Sequence, residues 1–200
     1  MAYAAWVHPN KTQGNGDDTV SWSGSPHTGR VQRTTQAVFS AAGVTPKTLT
    51  INQAGKPEFV DMDDTASVVQ EGGNITISGT SNSSKLTFSK ANDGIGITLP
   101  SSYNAGGATT NNGAAITGDP GATSQFNFSL LLSGITQNPG VTPRTCQIIV
   151  TDNAGHTDTC LITQAAGDAY LTISPVTLDL AADGTAQSVS VSSNTSWSIS

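Results

Sequence analysis

Two short stretches recur at a fixed offset of 111 residues (33 to 144, 51 to 162), and this self-similarity constrains the fold more than any single motif. Arg33-Thr34-Thr35-Gln36 returns as Arg144-Thr145-Cys146-Gln147, and Ile51-Asn52-Gln53-Ala54 returns as Ile162-Thr163-Gln164-Ala165. A fixed offset means one supersecondary unit used more than once. In each copy two runs of alternating small apolar and polar residues flank a turn, Ala41-Ala42-Gly43 or Asn153-Ala154-Gly155, as a β-hairpin requires. A second pair, Ser81-Asn82-Ser83-Ser84 and Ser193-Asn194-Thr195-Ser196, lies 112 residues apart (82 to 194). Each member follows a glycine turn, Gly72-Gly73 or Asp183-Gly184, and an alternating run. Two half-module signatures therefore organise the chain.

The residues between the repeats favour strands throughout. Only 11% of the 200 residues are charged, helix formers such as Leu, Glu, Lys and Arg are scarce, and Thr and Val recur at alternate positions between Gly and Asn clusters. The chain is all-β. Its net charge of −6 argues against a nucleic-acid partner, which needs a basic stripe to displace phosphate counterions. The charge is also unevenly placed. Residues 1–56 hold Lys11, Arg30, Arg33, Lys47 and Lys56 against Asp17 and Asp18, a balance of +3; the remainder, with three basic and twelve acidic residues, carries −9. No apolar run is long enough to span a bilayer, and the segment MAYAAWVHPN lacks the basic and apolar regions of a secretory signal, so no membrane partner is expected. With Met1 as the start, the expectation is a protein made in the cytosol without signal-peptide export.

Residues 168–200, reading "YLTISPVTLDLAADGTAQSVSVSSNTSWSIS" from Tyr170, resemble the first half of a BACON domain, an immunoglobulin-like β-sandwich found largely in Bacteroidetes and their phages, including crAss-like phages. Residues 5–56 resemble the second half: a Trp and a Pro, a Gly-Asn-Gly turn, Thr28-Gly29-Arg30, an Arg-Thr strand and a closing Gln-Ala-Gly. The resemblance implies tandem immunoglobulin-like modules, parsed as a partial module over 1–56, a complete module over 57–167 and a truncated first half over 168–200. Within the middle unit, Pro100 to Arg144 exceeds the comparable Pro9 to Arg33 by about twenty residues. The surplus, about 100–125, reads as a contact loop or a mobile excursion. Ser200 falls inside an alternating run, at a module's midpoint on this parsing, so more chain is expected beyond it.

Few residues suggest chemistry. A hairpin centred on Asn153 places Cys146 opposite Cys160, open to a disulfide or to two paired buried thiols; the thiols are favoured because no export signal implies an oxidising compartment. His8, His27 and His156 lie in separate turns or strand ends, without ligand spacing. Asp61, Asp63 and Asp64 could offer oxygens to calcium but read better as a solvated acidic linker. Asn-x-Ser/Thr triplets at Asn10, Asn74, Asn82, Asn127 and Asn194 carry no weight in so Ser/Thr-rich a chain. Trp22 and Trp197 are expected in cores, Trp197 because the family has a core tryptophan there. No catalytic set, metal site or cofactor motif is present, so the expectation is a protein without enzyme activity or cofactor.

A strand-deficient, basic N-terminal unit calls for a partner, because unpaired strand edges invite strand addition. Together with the resemblance this implies a structural virion protein, a phage head fibre or capsid decoration. Its N-terminal part would dock on the major capsid protein or another head protein, and its modules would project from the particle surface. Tyr3, Trp6, Arg30 and Arg33 are the expected contacts to capsid or to other copies. A homo-oligomer is expected, a trimer before a dimer, with host glycans met by distal modules. The alternative is a bacterial cell-surface carbohydrate-binding BACON module.

Overall fold

The computed structural model describes residues 3–200; Met1, taken above as the start of the first unit, lies outside the described residues. The alternating runs form strands β1 (Val7–Pro9), β2 (Trp22–Gly24), β3 (Arg33–Phe39), β4 (Lys47–Gln53), β5 (Val60–Met62), β6 (Thr65–Val68), β7 (Gly73–Ser81), β8 (Leu86–Ala91), β9 (Ser102–Ala105), β10 (Ala108–Asn111), β11 (Phe126–Ile135), β12 (Arg144–Asp152), β13 (Thr157–Gln164), β14 (Leu171–Ser174) and β15 (Ser190–Ser193). Among the described residues one 3-10 turn spans Pro120–Ala122. The protein is all-β, as its sequence requires.

The hydrophobic core lies between two sheets, ordered β10-β9-β11-β7-β5 and β6-β13-β12-β8. Strict alternation drives this packing. Along β12 every second residue from Cys146 to Asp152 is buried, and Ile77, Phe128, Leu130 and Leu132 answer from the opposite sheet. All pairs are antiparallel except β6 with β13, which run parallel from Leu161 opposite Thr65 to Gln164 opposite Val68.

The surplus segment is in part regular strand. Gly106 and Gly107, both at positive φ, form a two-residue turn that folds β9 and β10 into a hairpin, and β9 pairs with β11 through Ala105 opposite Phe128. The hairpin buries Tyr103, whose ring meets Phe88 edge-on at 4.9 Å, and so extends the first sheet.

The β12–β13 hairpin is centred on Ala154, one position later than the sequence suggests. Buried Asp152 accepts hydrogen bonds from the His156 backbone N–H and ring Nδ1, both at 2.8 Å, closing a three-residue turn over 153–155. Cys146 therefore faces Ile162 and Cys160 faces Ile148, correcting the direct pairing expected of the two cysteines. Both are free buried thiols on the inner face.

On either side of this sandwich lie two-stranded sheets: β1–β2 and β3–β4 from residues 3–56, and β14–β15 from 168–200. Trp197, expected in a core, is half exposed.

Candidate functional site: an open face and a repeated junction

The repeated Arg and Gln form a cross-strand pair in both copies. Arg144 lies opposite Gln164, and its guanidinium donates to the Gln164 side-chain oxygen at 2.6 Å; Arg33 lies opposite Gln53 and donates to its oxygen at 2.8 Å. Each pair also holds the loop leading into its strand. Arg33 and Gln53 both donate to the Ser25 carbonyl, and Arg144 and Gln164 both donate to the Thr136 carbonyl. The Arg33 guanidinium further lies over the Trp6 ring, 4.4 Å from its centroid. Of the four contact residues expected from the sequence, Arg33 and Trp6 are thus brought together, while Tyr3 packs edge-on against Trp22 at 5.6 Å.

Arg30 lies elsewhere, in a polar knot joining residues 3–56 to the central sandwich. Its guanidinium forms ion pairs with Asp119 and Glu58 and donates to the Asn82 carbonyl at 2.9 Å. The backbone continues the contact: the N–H groups of Arg30 and Val31 donate to Gly121 and Ala122 at 2.9 and 3.1 Å. Approach this close excludes side chains, since a Cβ on Gly29 would collide with the Thr123 backbone and one on Gly121 with that of Asn82. The end of the surplus segment, residues 119–125, is therefore a contact loop against the N-terminal unit.

At the centre of the knot, fully buried Asn82 donates to the carbonyls of Thr28, Lys56 and Pro57 and accepts from the Phe59 N–H at 3.0 Å. The arrangement recurs one repeat later. Asn194 donates to Pro139 and Asp168 and accepts from the Tyr170 N–H at 3.0 Å. Its companions repeat as well: Ser81 and Ser193 hydroxyls donate to the Phe59 and Tyr170 carbonyls, and the Lys56 and Gly167 N–H groups donate to Gly29 and Gly140. The Ser-Asn-Ser/Thr-Ser motif is therefore a clasp that ties each unit to the loop of the unit before it. Sequence reasoning noted the repeat but missed this role; the signal was the pairing of each Asn with a Gly 53 or 54 residues upstream (29 to 82, 140 to 194).

The open face lies on the β3–β4 hairpin. Phe39 and Leu49 are 45% and 38% exposed, whereas Val150 and Cys160, one repeat later, are fully buried. A cleft of about 510 Å³ borders this face, lined by Tyr3, Lys11, Val20, Trp22, Phe39 and Lys47.

The two cysteines lie outside both regions. Burial pushes each thiol up to about 11; the charge of Asp93 adds to the effect at Cys146, and those of Asp63, Asp158 and Asp64 at Cys160. Asp63 itself accepts from the Ser78 N–H and Asp158 from the Met62 N–H, and among the described residues no three His, Cys, Asp or Glu side chains gather as a metal site.

Fold and site together define an all-β protein whose central sandwich encloses a core, while apolar side chains of β3–β4 and of residues 168–200 stay exposed. Residues 1–54 match the BACON family model, described as "Putative binding domain, N-terminal". No curated protein matches the chain.

Proposed function

We propose that the chain is a structural attachment protein: tandem immunoglobulin-like modules form a semi-rigid shaft, and residues 3–56 form the attachment unit at its base. The single observation that carries this reading is the recurrence of the clasp at Asn82 and Asn194, because fixed links between successive modules serve a spacer. In this role the protein is a fibre or decoration on a phage head. The basic unit docks on a head protein, the acidic remainder points outward, and distal modules make weak contacts with host glycans.

Arg30 and Arg33 are already engaged within the chain, so the docking surface is Phe39, Leu49 and the flanking Lys47. Mass spectrometry of purified particles tests the assignment. The protein is expected among the head proteins, and Phe39→Asp with Leu49→Asp is expected to reduce its copies per particle at least tenfold with an unchanged circular dichroism spectrum. Absence from the particles, or unchanged occupancy, overturns it.

A second reading, a carbohydrate-binding module, is favoured by the aromatic residues Tyr3, Trp22 and Phe39 along the cleft. It requires saturable binding of a soluble glycan that Trp22→Ala abolishes.

A further inference from the structure

The sequence holds two Asn-Gly steps, Asn15-Gly16 in the Gly-Asn-Gly turn and Asn112-Gly113 just after β10. At such a step the glycine nitrogen, unshielded by a side chain, can reach the asparagine Cγ, and its attack closes a five-membered ring. The fold treats the two steps in opposite ways. Asn112 lies against the free edge of β8, where its Oδ1 accepts from the Phe88 N–H at 2.7 Å and its Nδ2 donates to the Phe88 carbonyl at 3.0 Å. The amide thus takes the place of a neighbouring strand. The Gly113 N–H, which carries the attacking nitrogen, donates to the Leu86 carbonyl at 3.0 Å. Attack there would break all three bonds. Asn15 is unrestrained. Among the described residues neither its amide nor the Gly16 N–H has a hydrogen-bond partner, residues 12–19 are exposed, and a Cβ built on Gly16 would meet nothing within 4 Å. The loop is held instead through Asp18, which accepts from Lys11 and from the Thr19 N–H.

We infer that Asn15 is a site of self-modification in the folded chain, and that β8 locks Asn112 against the same reaction. The Gly16 nitrogen, giving up its proton to solvent, attacks Cγ of Asn15; the bond from Cγ to Nδ2 breaks, and ammonia leaves with the proton. Water then opens the cyclic imide. Opening at Cγ leaves an aspartate side chain at position 15, whereas opening at the backbone carbonyl leaves the main chain running through the side chain. Either product exchanges a neutral amide for a carboxylate, so residues 1–56 hold five basic against three acidic groups and their balance falls from +3 to +2. The new charge arises beside Asp17 and Asp18, in a loop whose Lys11, Gly14 and Gly16 border the cleft along β3–β4. Conversion therefore makes the rim of that cleft less attractive to an acidic partner as the protein ages. The inference holds whether or not residues 3–56 attach to a head protein.

Incubation of the 200-residue chain for several weeks near neutral pH at physiological temperature, followed by peptide mapping with tandem mass spectrometry, tests this. The mass gain of an amide turned to a carboxylate is expected at Asn15, with one added negative charge on ion exchange, while Asn112 converts at least roughly 50-fold more slowly because it must wait for the strand edge to open. In concentrated urea the lock is gone, and the two sites are expected to convert at rates within about threefold of each other, since both are then Asn-Gly steps in open chain. Asn15→Gln, whose longer side chain would have to close a six-membered ring, is expected to abolish the early charge change and leave the circular dichroism spectrum unaltered. An Asn15 that stays intact in the native chain, or an Asn112 that keeps pace with it, overturns the inference. If urea leaves Asn112 slow, the protection comes from the neighbouring sequence and the lock on β8 is refuted.

Discussion

Asp93 illustrates how one side chain fixes a turn and carries a pH signature. Burial opposes its ionisation, but Lys90 at 2.7 Å and the Ile97 and Gly96 N–H groups outweigh burial and hold the carboxyl down to about 2 from an ordinary 3.8. A depressed folded value stabilises above pH 3.8 and is lost as pH falls toward 2. Asp93→Asn is therefore expected to cost about 1 kcal/mol near neutrality, allowing for solvent screening around Lys90, and to flatten the stability curve between pH 4 and 2. Urea unfolding across that range checks it; an unchanged acid limb refutes it. The cysteines behave in the opposite sense. With thiols at about 11, roughly a thousandth is ionised at pH 8, so the native chain is expected to resist thiol reagents until it unfolds. Their raised values stabilise below pH 9, and that contribution is lost as pH climbs through 11. Rapid labelling of the native chain at pH 8 would contradict the burial.

Among the elements, the clasp between units has the most definite energetics. Asn82 is fully buried with every polar atom engaged, so Asn82→Ala leaves several buried backbone groups unpaired, a cost of about 3 kcal/mol. Arg30 donates to the carbonyl of that same residue, so Arg30→Ala and Asn82→Ala are expected to be non-additive in a double-mutant cycle by more than about 0.5 kcal/mol. Strict additivity would show that the two do not share a network. The sequence made the strands legible because alternation at period two survives in β7, β11, β12 and β13, whose inner faces are apolar. It left the 100–125 segment unread because Tyr103 and Ala105 alone alternate there, and the decisive cue is the Gly106-Gly107 turn between two short polar strands. Arg33 stood out, but its engagement with Gln53 and Trp6 depends on strand register, as the Cys146 pairing does. Asp119, Glu58 and Asn82 were invisible as a group because they meet Arg30 across separations that no local pattern encodes.

For the whole molecule, stability is concentrated where the two complete sheets enclose a core. Every member of the core cluster lies between Met62 and Ile162, whereas β14–β15 and β3–β4 are two-stranded, and isolated pairs of that kind are marginal in water. Amide hydrogen exchange at low concentration is therefore expected to rank the chain in three levels. β7, β11, β12 and β13 should exchange only through global opening, β3–β4 should exchange faster, and β14–β15 should exchange fastest, since Leu171 and Ile173 of β14 are about half exposed. The junctions modify this ranking in a testable way. Because Arg30 and Asn82 tie residues 28–31 to the sandwich through backbone as well as side-chain bonds, the Arg30 and Val31 amides should be protected more than those of β4, although they lie in a loop. Equal exchange in that loop and in the exposed 41–46 turn would mean that the knot opens freely and does not hold residues 28–31 to the sandwich.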